Sequence, residues 1–367
     1  MLSLIGNAVM IGIGLALIFL AIEKGYEPLL LLPIGFGSVL ANIPFAGLAE
    51  PGGFLDILRM YGIDNELLPA LIFLGIGAMC DFSSLIRRPV LLVFAAAGQL
   101  GIFVALNIAL ALGFAPLEAS SIGVIGAMDG PTAIFVTHRF APHLLGAVTV
   151  CAYSYMSLVP LFQIPLSRLL TSKRERRIRM DSPPAELPRP VRVLFPLVVF
   201  LVSSLLAPQG TLLMGSLMLG NLMRESGVVN RLSGAAQNEL ANIVTILLGL
   251  SIGGTMRAEA FLSMTTLYVF ALGLVAFVSA ISLGLLFAKA ANALTGGRIN
   301  PLIGACGVSA FPMAARTAHI LGRKEDPDNW LLPQALAANV GGQIASVAAG
   351  GAILTYAPIV LSILTGL

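Results

Sequence analysis

The residue of this chain best suited to chemistry is Asp129, in the apolar stretch SSIGVIGAMDGPTAIFV at residues 120–136, followed at once by Gly130 and Pro131. The stretch is apolar enough to lie in a lipid bilayer, where a central aspartate costs about 2.5–3.5 kcal/mol on insertion scales. Glycine weakens a helix. Proline removes an amide donor and disfavours the helical conformation of the residue before it. We therefore predict a break in a membrane helix at this point.

Such a break exposes backbone carbonyls, which are tolerated at membrane depth only where the backbone is buried in protein or lines a cavity. Carbonyls and one carboxylate together form a set of hard oxygen donors with a single negative charge, which suits a small desolvated cation. The alternative is that Asp129 only caps the half-helix that follows it. We favour the cation ligand.

A second broken segment is predicted in RINPLIGACGVSAFPMAARTAHI, residues 298–320. It opens on Asn300-Pro301, contains two glycines, and breaks again at Pro312. Asn300 and Ser309 are neutral oxygen donors, and Arg316 follows after a short half-helix. An intramembrane serine more often bonds back to its own helix, so that reading of Ser309 stays open beside the ligand role.

Three further polar residues stand in the spans that follow the two breaks. Tyr153 and Tyr155 lie in CAYSYMSLVP, and we interpret Tyr153 as an interfacial anchor. Asn339 lies in ALAANVGGQIAS, flanked by small residues that let helices approach closely, so it is either an ion ligand or a helix-packing contact. In the segment 220–254 we expect a solvated loop with Glu225 and Glu239 exposed.

Composition fixes the class of protein. Of the 367 residues, 57% are hydrophobic and only 11% are charged, and the mean hydropathy is +0.94. Soluble domains carry about 25% charged residues, so the chain is predicted to be an integral membrane protein. The net charge of +3 gives no sign of nucleic-acid binding. The three cysteines lack metal-ligand spacing, and the N-terminus is interpreted as a retained first span.

The chain divides into two apolar halves, 1–170 and 193–367, joined by the basic, proline-rich linker TSKRERRIRMDSPPAELPRPVR at 171–192. The linker is predicted to be solvent-exposed. Apolar runs at 330–348 and 350–366 are predicted as separate final segments. Short matches relate the halves at offsets of 179, 176 and 178 residues, which indicates an internal repeat.

Lysine and arginine mark the cytoplasmic side of a membrane protein. If both broken segments enter and leave on one side, almost all basic residues fall on the side of the linker, and only Arg59, Arg139 and Arg257 fall on the other. Each half then crosses five times, so the halves have opposite orientations. The predicted fold is an all-α polytopic membrane protein, with two inverted-topology repeats whose interrupted, re-entrant helices meet near the membrane midplane.

Long blocks of the sequence resemble one family. They are MDGPTAIFVTHRFAPHLLGAVTVCAYSYMSLVP, GNLMRESGVVNRLSGAAQNELANIVTILLGLSIGG, INPLIGACGVSAFPMAAR and NVGGQIASVAAGG. The family is the membrane beta subunit of the biotin-dependent, sodium-translocating decarboxylases, and the resemblance covers most of residues 30–350. It implies a sodium pump in which decarboxylation of carboxybiotin drives Na+ export and consumes a proton. The competing interpretation is a stand-alone sodium-coupled secondary transporter without catalysis.

The resemblance also implies roles for individual residues. The positions that match the family's functional residues are Asp129, Tyr155, Asn300, Gly304, Ser309, Arg316 and Asn339. We expect Asp129 and Asn339 to hold Na+, with Asn300, Ser309 and Gly304 in a second set. Arg316 would bind the carboxylate of carboxybiotin, and Tyr155 would relay the proton. AANV stands where the family reads GPNV before Asn339.

The resemblance implies partners and a location as well. Carboxybiotin would be presented by a biotin-carrier and carboxyltransferase alpha subunit, without covalent attachment to this chain. A small membrane gamma or delta subunit and a homotrimeric core are also implied. The expected location is the cytoplasmic membrane of a bacterium or archaeon, with the linker cytoplasmic. The carboxyl donor is not identified, because that specificity belongs to another subunit.

Overall fold

The computed structural model describes residues 2–25, 28–180 and 187–365. Residues 181–186 of the predicted linker and residue 366 of the predicted final segment lie outside the described residues. All regular elements in the described part are helical. This follows from the composition, because a chain that crosses lipid must satisfy its backbone hydrogen bonds within each segment.

Eleven α-helices form the half before the linker. They are α1 (Leu2–Glu23), α2 (Pro28–Ala41), α3 (Phe54–Leu58), α4 (Leu67–Met79), α5 (Ser83–Arg87), α6 (Leu91–Gly98), α7 (Leu100–Ala111), α8 (Pro116–Gly123), α9 (Gly130–Phe140), α10 (Leu145–Ser157) and α11 (Val159–Leu170). A π-helical turn spans Arg59–Asp64, and 3-10 turns span Val124–Ala127 and Pro142–Leu144.

The linker carries the short helix α12 (Lys173–Arg176). The helices after it are α13 (Arg189–Leu206), α14 (Thr211–Ser226), α15 (Asn230–Ala235), α16 (Ala241–Thr255), α17 (Ala258–Phe261), α18 (Met264–Leu294), α19 (Met313–Glu325) and α20 (Leu332–Thr365). A π-helical turn spans Ala236–Leu240, and 3-10 turns span Pro208–Gly210 and Pro301–Cys306.

Six helical segments in the described residues are long and apolar enough to cross a membrane. They are Leu4–Glu23, Leu91–Ala111, Arg189–Leu206, Asn230–Thr255, Met264–Leu294 and Leu332–Ile363. Two bent pairs could each form one more span: Phe54–Asp64 with Leu67–Met79, bent by 59°, and Pro142–Met156 with Val159–Leu170, bent by 61°. The coarse prediction of a polytopic all-α membrane protein is therefore confirmed.

Two helix pairs make extensive contacts between the halves, α2 with α16 and α4 with α14. We call them the crossed helix pairs, because each combines one helix from each half. Glycines allow the close approach: a Cβ on Gly220 of α14 would collide with the backbone of Leu74 in α4, and one on Gly253 of α16 with that of Ile34 in α2. At the end of each pair an asparagine bonds across. Asn42 donates to the carbonyl of Met256 (2.7 Å), and Asn221 donates to that of Cys80 (2.9 Å).

The two predicted final segments are one continuous helix, α20, so their separation was wrong. The Gly350-Gly351 pair at the predicted boundary lies inside the helix. A Cβ on Gly350 would meet the Thr132 side chain at 2.5 Å, and one on Gly351 would meet the Gly210 backbone at 2.9 Å. These glycines allow close packing against α9 and the turn at Pro208–Gly210; they do not end the helix.

Two predictions of exposure were also wrong. The linker is not solvated throughout, because Arg176 is 4% exposed and α13 already begins at Arg189. Glu225 is not exposed either, since its side chain is 8% exposed and pairs with Arg192 at 3.4 Å and Arg224 at 3.5 Å. In both cases a charged side chain is buried with at least one oppositely charged partner that is distant in sequence, Glu325 for Arg176 and Arg192 for Glu225, which composition alone does not reveal.

Candidate functional site

The first break lies where it was predicted. After α8 and the 3-10 turn, Met128 adopts a left-handed conformation (φ 53°) and Asp129 is extended (φ −131°, ψ 99°). Asp129 is the N-cap of α9, and its Oδ1 accepts a hydrogen bond from the Thr132 amide at 3.3 Å. Pro131 fits the first turn of α9, where no amide donor is needed. One carboxylate oxygen of Asp129 therefore caps a helix, as in the alternative interpretation.

The second break directly contacts the first. The 3-10 turn Pro301–Cys306 is followed by non-helical residues 307–312 before α19 begins. Within them, the Ser309 amide donates to the carbonyl of Ala127 at 3.3 Å. The Ser309 hydroxyl donates to Asp129 Oδ2 at 3.4 Å. The two unwound segments thus meet at Asp129, and Ser309, which was expected in a second set of ligands, lies at the carboxylate itself.

Three polar side chains of α20 complete the cluster. They follow at intervals of four and three residues, Asn339, Gln343 and Ser346, so they share one helix face. Ser346 Oγ donates to Asp129 Oδ2 at 2.5 Å and lies 2.9 Å from Ser309 Oγ. Asn339 Nδ2 donates to the carbonyl of Val308 at 2.6 Å, and Gln343 Nε2 donates to that of Ser309.

The charge of Asp129 has no protein counter-ion in the described part of the chain. Asp129 is 3% exposed, and no Lys, Arg or His among those residues pairs with it. Its hydrogen-bond partners are neutral. A buried carboxylate in such a setting requires either a proton or a bound cation. The Oδ1 of Asn339, whose Nδ2 donates to Val308 next to Ser309, is also buried and has no hydrogen-bond partner in the described residues.

A cavity of about 180 Å³ opens onto the cluster. Its polar lining comes from Asp129, Ser309 and Gln343, and its wall includes Tyr153 and apolar side chains of α4 and α16. Tyr153 is 2% exposed and packs on Gly130 so closely that a Cβ there would collide with the phenol ring. The interpretation of Tyr153 as an interfacial anchor was therefore wrong.

Three of the predicted site residues lie elsewhere. Tyr155 points away from Asp129: its hydroxyl donates to the carbonyl of Phe270 at 2.7 Å, and its ring packs on Phe277. Asn300 is fully buried and donates to the linker carbonyls of Arg176 (2.9 Å) and Ile178 (2.8 Å). Arg316, in the first turn of α19, is exposed.

Gly304 also makes its contact away from the carboxylate. A Cβ at this position would collide with the backbone of Gly284 in α18, and the reverse substitution at Gly284 would collide with Gly304. The residue therefore lets the 3-10 turn before the second break lie directly on α18. We assign it a packing contact in the structure, in addition to the ligand role that the family resemblance implied.

Sequence reasoning missed Ser346, Gln343 and Tyr153. Gln343 and Ser346 could have been found, because they follow Asn339 at i+4 and i+7 and therefore share its helix face. Tyr153 and Tyr155 are two residues apart, so a helical rotation of 100° per residue directs them to different sides. Only one of them can face Asp129, and the sequence gives no means of choosing.

The chemistry of the cluster is that of a hard, singly charged cation site. Its donors are a carboxylate, hydroxyls, a side-chain amide oxygen and backbone carbonyls, all oxygen. Among the described residues no group of three or more His, Cys, Asp or Glu side chains could hold a metal ion. Transition metals prefer nitrogen and sulfur ligands, so this oxygen set fits an alkali cation better.

The fold and the site together define a class: a polytopic helical membrane protein in which two broken segments enclose a buried carboxylate suited to an ion. A family model described as the Na+-transporting oxaloacetate decarboxylase beta subunit matches residues 6–357. This match covers nearly the whole chain. The chain belongs to that family.

Individual relatives agree. The chain is 51% identical to the glutaconyl-CoA decarboxylase subunit beta of Acidaminococcus fermentans, over 95% of this chain and 92% of the relative. It is 50% identical to the methylmalonyl-CoA decarboxylase subunit beta of Veillonella parvula, with the same coverage of 95% and 92%. It is 42% identical to the oxaloacetate decarboxylase beta chain of Klebsiella pneumoniae, over 96% and 95%.

Proposed function

We propose that this chain is the membrane subunit of a sodium pump in which decarboxylation of carboxybiotin drives Na+ export. Membership of a family of Na+-transporting decarboxylase beta subunits supports the pump and does not favour the stand-alone transporter. The single observation that carries the proposal is the buried carboxylate of Asp129, which has two serine hydroxyls and a backbone amide as partners. Such a carboxylate binds a cation that has lost its water.

The carboxyl donor is not a property of this chain in our proposal. Its relatives are named as subunits of decarboxylases of glutaconyl-CoA, methylmalonyl-CoA and oxaloacetate, at 51%, 50% and 42% identity. Beta subunits this similar, working with three different acids, are best explained if each receives the same intermediate. Carboxybiotin carried by a partner subunit is that intermediate.

We assign the Na+ site to Asp129, Ser309, Ser346 and Asn339. The unpartnered Oδ1 of Asn339 supports this assignment, because a buried acceptor without a donor costs free energy that a cation would offset. Asn300 and Gly304 are left out of the site, since Asn300 is bonded to the linker and Gly304 packs on Gly284.

Access from the two sides of the membrane would come from the inverted repeat. Asn42 and Asn221 occupy equivalent positions in the two halves, and so do the acceptors Cys80 and Met256. Each asparagine bonds to the acceptor in the other half, which supports a two-fold relation. The first broken segment ends at Arg139, which pairs with Glu66 at the start of α4. The second ends at Glu325, which pairs with Arg176 of the linker.

The Arg139–Glu66 pair lies at the start of α4, and the carbonyl of Met79 at the other end of α4 accepts from Arg224, one of the basic residues predicted on the side of the linker. Arg59, Arg139 and Arg257, the three arginines predicted on the outer side, all form ion pairs around residues 50–66 or 259. We therefore propose that the segments enter from opposite sides, with the linker cytoplasmic.

Arg316 is our candidate for binding the carboxylate of carboxybiotin. Its guanidinium is exposed, and no described residue forms an ion pair or a side-chain hydrogen bond with it. An arginine free of partners can bind a carboxylate through two parallel hydrogen bonds. It lies seven residues after Ser309, so substrate held there would be close to the ion site along the same broken segment.

The proton relay is better assigned to Tyr153 than to Tyr155. Tyr153 lines the cavity that contains Asp129, whereas the Tyr155 hydroxyl is engaged with Phe270 on the far side of α10. A group that delivers a proton must come within hydrogen-bond reach of the acceptor. Tyr153 satisfies that geometric requirement for anything that enters the cavity.

Energetics require coupling to a chemical step. Moving one charge against the membrane potential costs about 2.3 kcal/mol per 100 mV, and each tenfold concentration gradient adds about 1.4 kcal/mol. Loss of CO2 from carboxybiotin supplies this free energy, and it is faster where the carboxylate is desolvated, because charge becomes more diffuse as the bond breaks. Coupling requires two conformations with different Na+ affinity, biased by carboxybiotin.

The partners follow from the same proposal. The relatives are named as beta subunits or beta chains, so each is one part of a larger enzyme. We propose an alpha subunit that carries biotin, a small membrane gamma or delta subunit, and a trimeric core in the cytoplasmic membrane of a bacterium or archaeon. The extensive exposed apolar surface of α13 is suited to lipid or to such neighbours.

The test is CO2 release from free N-carboxybiotin by the purified protein, with and without Na+. We expect release that depends on Na+ in the wild type and falls at least about a hundredfold in Asp129→Asn, because loss of the charge removes the main attraction for the ion. Glu239→Gln is the control, since that carboxylate is exposed and no described residue forms an ion pair with it. Na+ flux without any CO2 release would favour the transporter and contradict the proposal.

A further inference from the structure

The linker binds the second broken segment through its backbone. Residues 176–180, which we term the strap, comprise the last residue of α12, a turn at Arg177 and three residues outside any regular element, and the carbonyls of 176, 178 and 180 accept hydrogen bonds. Asn300 and Asn329 each donate through Nδ2 to both Arg176 and Ile178, at 2.8–3.3 Å. Gln334 donates to Met180 at 3.1 Å. Three side-chain amides therefore hold this stretch of the linker.

Charges fasten the strap on its other side. The Arg176 side chain is 5% exposed and donates to Glu325 at 2.8 and 3.1 Å. Arg179 donates to Asp326 at 2.7 and 2.9 Å, and Arg177 donates to the carbonyl of Glu325. Glu325 is the last residue of α19, so the strap contacts the second broken segment where it ends as well as where it begins.

The hydrogen-bonding groups of Asn300 are all used for this contact. Its Nδ2 donates to two strap carbonyls, and its Oδ1 accepts from the Leu302 amide and so caps the 3-10 turn Pro301–Cys306. The residue is fully buried. Both ends of the amide are thus anchored to the linker and to the 3-10 turn, and no hydrogen bond joins Asn300 to Asp129 or Ser309 among the described residues.

We propose that Asn300 and Asn329 are positioning residues that clamp the strap to the second broken segment, and that Asn300 binds the linker and not Na+. The strap is continuous with α11, whose Gln163 donates to Ala314 at the start of α19. The first half is thus joined to the segment that carries Ser309 at its beginning, middle and end. The strap must therefore stay bound to this segment for the cytoplasmic access to the Na+ site to close, an inference that rests on the proposed pump.

The experiment compares Asn300→Ala with Asn329→Ala in the purified complex. Asn329 shares both acceptors with Asn300 but lies outside every predicted ion site, so it separates the two explanations. The first readout is the rate of trypsin cleavage after Arg176 and Arg177. We expect cleavage about tenfold faster in both variants, because each loses two buried hydrogen bonds. Asn238→Ala, at an exposed asparagine, is the control and should leave the rate unchanged.

The second readout is the Na+ dependence of decarboxylation. We expect both asparagine variants to lower turnover about equally while the half-saturating Na+ concentration stays within about twofold. Ser309→Ala should do the opposite: it should raise that concentration and leave cleavage unchanged. The near-isosteric Asn329→Asp, which removes the donors but keeps the shape, covers the case in which an alanine variant does not fold.

The proposal is overturned if Asn300→Ala raises the half-saturating Na+ concentration tenfold or more with unchanged cleavage. It is also overturned if Asn329→Ala and Asn329→Asp change neither readout. Failure of the proposed pump is a distinct result: the wild type would then decarboxylate without Na+, whereas trypsin cleavage of the strap needs neither Na+ nor carboxybiotin.

Discussion

Asp129 uses its two carboxylate oxygens for different tasks. Oδ1 caps α9 through the Thr132 amide, and Oδ2 meets the hydroxyls of Ser309 and Ser346. The two interpretations of the aspartate, helix cap and ion ligand, are therefore compatible in one geometry. The cap fixes the rotation of the carboxylate, and this directs the second oxygen to the point where the two breaks meet.

Ser346 gives the prediction at this scale. Ser346→Ala removes an oxygen from the proposed Na+ site without changing charge, so we expect the half-saturating Na+ concentration for decarboxylation to rise about tenfold, or about 1.4 kcal/mol. Ser251→Ala, which also removes a fully buried hydroxyl but lies in α16 outside the cluster, should leave it unchanged. An unchanged Na+ requirement in Ser346→Ala would remove this residue from the site.

The environment of a single residue could be predicted only where it is determined by residues next to it in the sequence. The break at Asp129 follows from the chemistry of Gly130 and Pro131, which act on their immediate neighbours. The environment of Asn300 could not be predicted, because its acceptors are 122 and 124 residues away in the linker. An asparagine in an apolar segment has the same appearance in the sequence whether it binds an ion or a carbonyl.

At the scale of elements, the two crossed pairs α2–α16 and α4–α14 join the halves. Glycines allow the helices in each pair to approach at backbone distance, and an asparagine closes one end of each. Buried side-chain amides that satisfy a carbonyl of another helix fix both distance and register. The equivalence of the two pairs makes a quantitative test possible.

We expect Asn42→Ala and Asn221→Ala to destabilise the protein by similar amounts, about 1–3 kcal/mol each, because each leaves a buried carbonyl without its donor. Thermal unfolding of the detergent-solubilised protein measures this. Asn107→Ala, whose exposed amide bonds only within its own helix, is the matched control and should have little effect. Strong destabilisation by one variant and none by the other would contradict the equivalence of the two pairs.

Element type was predictable here and element length was not. Apolar runs predicted helices because no other structure satisfies the backbone in lipid. The predicted boundary between 348 and 350 lies within α20, where Gly350 and Gly351 allow close approach to Thr132 and Gly210. A glycine that ends a helix and one that allows another element to approach it cannot be distinguished without the neighbouring element.

At the scale of the whole molecule, the proposed pump depends on the relation of the two halves. The contacts between the halves include the crossed helix pairs, the two breaks around Asp129, and the strap at the basic end. The repeat was visible in the sequence as short matches at nearly constant offsets, but their meeting at one carboxylate required the structure. The strap was hidden because a basic, proline-rich sequence is typical of a solvated linker.

The measurement that tests the central claim most directly is equilibrium binding of radioactive Na+ to the purified complex. It compares the wild type with Asp129→Asn and with the exposed control Glu239→Gln. We predict saturable Na+ binding in the wild type and the control, and its loss in Asp129→Asn while the protein remains folded. Undiminished saturable binding in Asp129→Asn would show that the ion is held elsewhere and would contradict the account.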